Sequence, residues 1–300
     1  MADRLAEAIE AAGGAIRLRT RATRILVEEG RVTGVAYDGR HHGTGVVRAP
    51  VVVSNADLKR TVLELVGVEH FPAAWVERVR AFEMALPLFV VFLGLDRPPE
   101  ALPYGNVNRW LFGDYDVDDA YARLARGEMP AHPFLYVATA SKKDPQNPRL
   151  APRAHTNLQI MTIAPAQPEF WGVDAEQLRT GTYVASEGYR FRKEQLTQRL
   201  IAEAERIIPG LSQHIVLREA STPLTHTRFT GSTDGTSYGI SATPGQFLEG
   251  RPGARTPVDG LLLAGASTRS GHGIAGAMVS GVVAADAVLR DGTARRVLSA

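Results

Sequence analysis

Leu261-Leu262-Leu263-Ala264-Gly265-Ala266-Ser267-Thr268, followed by Gly271-His272-Gly273-Ile274-Ala275-Gly276, decides how this chain is read. The uncharged leucine run has the length and flanks of a short buried strand. The glycines after it spell G-x-G-x-x-G, and Met278, Val282, Ala285 and Leu289 then recur at helical spacing. Strand, small-residue turn and helix stand in succession. Small residues let a backbone approach a neighbour closely, and a helix N-terminus presents unpaired N–H groups and partial positive charge. The combination suits an anion or an electron-rich ring edge. It suits tight helix–strand packing as well, and these residues alone do not choose. A full dinucleotide fingerprint also needs a second parallel strand ending in an acidic residue about 20 residues on. Asp286 and Asp291 fall in or just after the predicted helix instead.

Glycine is in surplus, and the surplus is concentrated near this turn. The chain has 29 glycines in 300 residues, where average usage gives about 21. They crowd the last third: Gly231, Gly235, Gly239, Gly245, Gly250 and Gly253, then Gly260 to Gly281. The remaining composition is that of an ordinary globular chain, 44% hydrophobic and 22% charged. Its length suggests about two domains. The absence of cysteine excludes disulfides, thiolate metal sites and cysteine nucleophiles. Lys+Arg 34 against Asp+Glu 32 leaves +2, too small a field to argue for a nucleic-acid partner. Met1–Glu7 lacks the apolar run of a secretory signal. The longest apolar stretch, Ala85 to Leu95, is too short to cross a bilayer. A cytoplasmic location is the expectation, with a peripheral membrane contact through an apolar patch left open.

Before the turn the period changes several times. Asp3 is placed to cap a first helix with Leu5, Ala8, Ile9 and Ala12 on one face, ended by Gly13-Gly14. Ile16 and Leu18, then Ile25 and Val27, then Val32 and Val35 alternate with polar residues and predict short antiparallel strands, with Asp38-Gly39 as a hairpin turn. Val51-Val52-Val53 predicts a strand buried on both faces, running into a helix through about Leu65. Ala85–Leu95, Phe134–Ala138 and Thr156–Ile163 predict further strands among proline-rich loops. From Arg192, Leu196, Leu200, Ala204, Ile207 and Ile208 predict a helix that Pro209-Gly210 ends.

Taken in order, these segments resemble phytoene desaturase-like oxidoreductases, the group of carotenoid desaturases, carotenoid isomerases and retinol saturases. The resemblance rests on residues 261–276, on Gly13-Gly14-Ala15-Ile16 through Val35 as the family's β-meander, on Val52-Val53-Ser54-Asn55-Ala56-Asp57, and on Thr222-Pro223-Leu224-Thr225-His226 with Gly239. It spans nearly the whole chain, without the family's N-terminal dinucleotide fingerprint. The fold it implies is α/β: a partial FAD-binding, glutathione reductase-like domain from residues 1–79 and 215–300, with a mixed α+β substrate domain inserted at 80–214 that carries the tryptophans. The chain is then expected to be the C-terminal portion of a longer flavoprotein, a fragment, or one part of a split protein whose second chain carries the N-terminal part.

The resemblance implies bound FAD. It places Gly265 and Ala266 near the pyrophosphate and ribityl chain. Where the family commonly carries Asp this chain has Ala266, so a backbone N–H would serve there. Gly273, Ile274, Ala275 and Gly276 would set the helix N-terminus against the flavin, Ala22 would pass the adenine, and Ser54 and Asn55 would border the same site. The implied activity is FAD-dependent desaturation, saturation or isomerisation of a small apolar substrate, isoprenoid or polyene in character. The implied redox chemistry belongs to the flavin, and no acid or base is singled out. A flavin amine oxidase-like enzyme with a polar substrate and a non-catalytic interaction subunit are the alternatives. His226, His272 and Trp171 are candidates for the substrate side, and Phe89, Phe92, Trp110, Phe134 and Tyr136 for an apolar tunnel, each weighed against plain structural roles. No metal-ligand spacing and no G-x-S-x-G elbow occurs.

Overall fold

A computed structural model describes residues 1–299; Ala300, the last residue of the expected cofactor domain, lies outside the described residues. The fold is α/β and divides into two compact units, Met1–Phe82 with Ala242–Ala300, and Glu83–Ser241.

The first unit opens with α1 (Ala2–Ala11), which starts from Met1, so that Asp3 sits inside its first turn rather than capping it. No residue of α1 is buried, and its Leu5 and Ile9 are exposed. Ile16 and Leu18 were expected in a strand and are in none. The first strand, β1 (Thr20–Glu28), begins after them. Alternation marks a strand only where a neighbour completes the ladder, and among the described residues no strand pairs with 15–18. β1, β2 (Arg31–Gly39) and β3 (Gly43–Arg48) form an antiparallel meander in that order. Glu29 and Gly30 both have positive φ, 50° and 75°, as in the two-residue hairpin turns whose twist matches their strands. β4 (Val52–Ser54) follows. Asp57 caps α2 (Leu58–Arg60) by accepting the Arg60 N–H at 3.1 Å, and the helix runs on as one π-helical segment, Thr61–Val66. α3 (Ala73–Ala81) completes this half and carries Trp75, so the inserted domain holds Trp110 and Trp171 but not all the tryptophans.

The second unit contains β5 (Leu88–Leu95), β6 (Arg109–Leu111), α4 (Val117–Ala125), β7 (Leu135–Ala138), α5 (Ala140–Lys143), β8 (Thr156–Ile163), α6 (Ala175–Thr180), α7 (Glu187–Ala204), β9 (Ile215–Ser221) and α8 (Pro223–Thr230). Its five strands make one antiparallel sheet in the order β6-β7-β8-β5-β9. Phe89, Val91, Leu93 and Leu95, every second residue of β5, are buried together with Leu196, Leu200, Ile201 and Ala204 of α7. Period two on the strand and a 3.6 period on the helix thus fill one core. Each such leucine stabilises the fold by about 1.5–3 kcal/mol. α7 starts at Glu187, before the predicted Arg192, because Ser186 caps it and accepts the Tyr189 N–H. The expected return to the cofactor domain at residue 215 is corrected: β9 hydrogen-bonds to β5 from Leu95 to Val90, so residues 215–241 belong to the second unit. The unit closes on itself where it is entered and left. Ser241 N–H donates to Glu83 O, and Ala85 N–H to Gly239 O.

The first unit resumes with β10 (Leu261–Leu263), α9 (Gly273–Leu289) and α10 (Thr293–Leu298). β10 pairs in parallel with β4, Leu261 opposite Val52 and Leu263 opposite Ser54. All three leucines are buried, as expected. β4 is not buried on both faces as predicted. Among the described residues β10 is its one strand partner, and Val51 and Val53 are exposed. The buried side of α9 is made of small residues, Ser280 and Ala284, while Met278 and Leu289 are exposed.

Candidate functional site

The candidate site forms where β4 and β10 end together and α9 begins. Ala264 N–H donates to Ser54 O at 2.9 Å, which carries the parallel pairing one residue past the strands. Gly265 then takes φ of +97°, and a Cβ there would run into Asn55 Oδ1. This position needs glycine for conformation and for space alike. The Gly265 N–H donates to Ser280 Oγ at 2.6 Å, and Ser280 Oγ donates to Ala277 O at 2.5 Å, tying the turn to α9. Thr268 Oγ1 donates to Gly265 O at 2.8 Å. Beneath the turn lies Arg251, fully buried, with Nη1 on Ala266 O at 2.8 Å and Nε on Gln246 O at 2.9 Å. Burial pushes its pKa down, from a starting value so high that the guanidinium stays charged.

The helix that follows is left uncapped. His272 occupies the N-cap position without a side-chain bond to the first turn. Gly273 has φ of +81° and open space where a Cβ would stand, and Ile274 is 70% exposed. Gly276 packs against Gly271 O so closely that a Cβ would not fit. A 17-residue helix thus presents its first-turn N–H groups from a bare, glycine-lined end, which is what an electron-rich group requires.

The structure brings Ser54, Asn55 and Gly265 together at the strand ends, with Ala266 and Gly273, Ile274, Ala275 and Gly276 following on the same turn. Ser54 is buried and its hydroxyl is shared with Thr61 Oγ1 at 2.8 Å, so it offers a backbone rather than a side chain. Ala22 stands on β1, opposite Tyr37 at a bulge and exposed, in the separate three-stranded sheet. Arg251 and Ser280 are absent from the sequence-based set. Arg251 reads as one more solvated charge in a Pro/Gly loop; the one usable signal for Ser280 is its place four residues after Gly276 and four before Ala284, on a stripe of small residues.

In the second unit, Trp171 is a core residue and not a tunnel wall. It has no exposed surface, stacks on Phe89 with ring centroids 5.7 Å apart, and donates Nε1–H to Pro165 O at 2.9 Å. His226 lies between two serines, with Nδ1 3.0 Å from Ser237 Oγ and Nε2 3.3 Å from Ser221 Oγ. Burial lowers its pKa and favours the neutral ring. It links the β9–α8 corner to the following loop. Of the aromatic residues singled out, Trp110 and Phe134 line a cavity of about 150 Å³, together with Phe112 and Tyr121. Tyr136 packs edge-on to Trp110 at 4.7 Å, Phe89 is core, and Phe92 is exposed. Among the described residues no group of three or more His, Cys, Asp or Glu is placed to hold a metal ion, and no helix is long and apolar enough to cross a membrane.

Residues 1–289 match the family model described as flavin containing amine oxidoreductase. The chain belongs to the flavin-containing amine oxidoreductase family. Within it, the chain is 26% identical over 297 residues to prolycopene isomerase 2 (chloroplastic) of an Oncidium hybrid cultivar, covering 97% of this chain and 45% of that protein. It is 25% identical over 291 residues to the all-trans-retinol 13,14-reductase of Macaca fascicularis, covering 94% and 46%. The chain therefore spans about half the length of the curated relatives it matches. Among solved structures, an oxidoreductase from Methanosarcina mazei superposes with a TM-score of 0.54 at 16% identity, over 96% of this chain and 53% of that one, which shows a shared fold.

Proposed function

We propose that this chain is the flavin-holding and substrate-holding portion of an FAD-dependent oxidoreductase that acts on an apolar polyene. One observation carries the reading: the uncapped, glycine-lined start of α9 beside the ends of β4 and β10, in a chain of flavin-containing family membership. FAD, when bound, supplies two-electron chemistry at its ring system. The residues of this turn fit it. Gly265 and Ala266 offer backbone where the cofactor's chain would pass, and the first-turn N–H groups of α9 stabilise negative charge on a reduced ring. The first unit is thus the cofactor-binding part, and the second the substrate domain.

The polyene class is supported by the relatives' names, prolycopene isomerase and retinol reductase, and by the aromatic cavity of the second unit. Two carboxylates stand at that cavity, Asp114 and Asp116, and could suggest an amine substrate. Each is held by backbone N–H groups through its Oδ1. Asp114 accepts the Tyr115 and Asp116 N–H groups at 2.6 and 3.3 Å, and Asp116 caps α4 through the Asp119 N–H at 2.9 Å. The remaining aromatic wall favours an apolar ligand.

Among the described residues β4 has one strand partner, and Val51 and Val53 beside it are exposed. This supports a further strand-bearing layer against that edge, in the same polypeptide or in a second chain. Titrating the purified chain with FAD tests the cofactor reading. Saturable uptake with a bound-flavin spectrum, lost in Gly265→Val, is expected. No uptake, or uptake indifferent to Gly265→Val, overturns it for this chain.

A further inference from the structure

The first unit contains an open cleft of about 680 Å³ between α3, residues 251–255 and the C-terminal half of α9. None of Asn55, Gly265 or 273–276 lines it. Its charged lining is one-sided: Arg78, Arg251, Arg255, Arg269 and Arg290 against Asp286. Guanidiniums gathered at one cleft repel each other and create a strongly positive local potential.

Two of them are oriented without being neutralised. Arg78 Nη2 donates to Gly250 O at 3.0 Å and Arg255 Nη2 to Ala287 O at 2.8 Å. Carbonyl partners hold the planar forks in place and leave their charge and further N–H donors for a ligand. Arg269 pairs with the exposed Glu249 at 3.0 Å, and Arg290 is exposed at the end of α9. Two further lining groups are buried polar atoms without a hydrogen-bond partner, the donor Trp75 Nε1 and the acceptor Asp286 Oδ1. Such atoms cost stability unless something occupies the site with them.

We propose that this cleft binds a phosphate monoester. A phosphate monoester offers several acceptor oxygens to donors converging from α3, the 251–255 loop and α9. With a second pKa near ~6 it keeps, in part, one P–OH group at neutral pH. Once Asp286 and Trp75 turn toward the cleft, that hydroxyl donates to Asp286 Oδ1 and another oxygen accepts from Trp75 Nε1. A fully ionised sulfate has acceptors alone and faces the Asp286 carboxylate unaided. The cleft shares Arg251 with the flavin turn, whose Ala266 O that guanidinium bonds, but the proposal does not rest on the FAD reading. The ligand is a free phosphate ester or a phosphatidic acid headgroup.

The test follows the indole N–H resonance of Trp75, assigned by loss in Trp75→Phe, while the 300-residue chain is titrated with inorganic phosphate, with sulfate, and with phosphatidic acid in phosphatidylcholine vesicles. A saturable Trp75 shift with phosphate, at least tenfold weaker with sulfate, identifies a solute site. Co-sedimentation with phosphatidic acid vesicles and not with pure phosphatidylcholine identifies the lipid source. Either supports the proposal if Arg255→Gln/Arg290→Gln, two exposed positions, weakens it at least tenfold at unchanged Tm. No saturable response to either probe, equal response to sulfate, or unchanged binding in the double variant overturns it. So does displacement of phosphate by FAD, which would give the cleft to the cofactor.

Discussion

The side-chain oxygen of Asn55 occupies the space that a Cβ on Gly265 would need, at a residue whose φ is +97°. Two segments more than 200 residues apart in sequence are fitted to each other at that point. Gly265→Ala meets both a strained backbone and a blocked site, and is expected to cost about 1–3 kcal/mol. In an Asn55→Ala background the steric part disappears and the backbone part stays. Urea unfolding of the four proteins of this cycle measures the difference. Equal costs in both backgrounds would mean that Asn55 moves aside freely.

Ser280 is the acceptor for the buried Gly265 N–H. Ser280→Ala leaves that donor unpaired and is expected to destabilise the first unit by about 1–3 kcal/mol. Amide hydrogen exchange at Gly265 should accelerate in the variant. Unchanged protection would show that the turn has another acceptor.

Leu200 has no exposed surface and sits where α7 meets the five-stranded sheet. Leu200→Ala is expected to cost about 2–5 kcal/mol by opening a cavity in the core. Leu289→Ala, on an exposed position of α9, serves as the control and should stay near about 0.5 kcal/mol. Denaturant midpoints at constant slope distinguish the two.

His226 is pushed below its ordinary value of 6.5, chiefly by burial. The unfolded chain therefore takes up a proton near pH 6.5 that the folded chain refuses. Its contribution is fully present above that pH and is lost as pH falls toward the lowered folded value. Stability measured from pH 8 to pH 5 should decline on the acid side, and His226→Gln should flatten that decline. A variant with the same slope as the wild type would remove His226 as the cause.

Asp291 is held down to about 2 from 3.8, first by the Thr293 hydroxyl and then by Arg296. Its carboxylate accepts from Thr293 Oγ1 at 2.6 Å and Arg296 Nη2 at 3.0 Å, where α10 starts. The lowered folded value means that its support for α10 is present above about pH 4 and lost as pH falls toward about 2. A carboxyl-carbon titration followed by NMR should place the Asp291 midpoint well below the ordinary aspartate value of 3.8. A Thr293→Ala variant should bring it back up.

Legibility in the sequence followed local sufficiency. β8, β10 and α7 carry their own periods, and Thr156–Ile163 and Leu261–Leu263 stand where the pattern puts them. Ile16, Leu18, Val51 and Val53 carry the same pattern, but what they become depends on a neighbour, and none covers them here. Residues 215–221 read as cofactor domain in the sequence for the related reason that pairing with β5 leaves no mark in their own residues. At the candidate site the glycines were readable because each answers a backbone demand. Arg251 was not, since nothing in its flanking Gly250 and Pro252 distinguishes a buried guanidinium from a solvated one. Trp171 was drawn toward a ligand role by its chemistry, and its satisfied indole N–H returns it to the core.

The pairing of Ser241 with Glu83 and of Ala85 with Gly239 gives the second unit an entrance and an exit that lie side by side. A segment anchored in this way behaves as a cassette. It can be lifted out at residues 82 and 242, bridged by a short loop, or exchanged for the equivalent stretch of a relative, with little change in the spacing between the ends it leaves behind. Exchange at this junction joins one first unit to different second units.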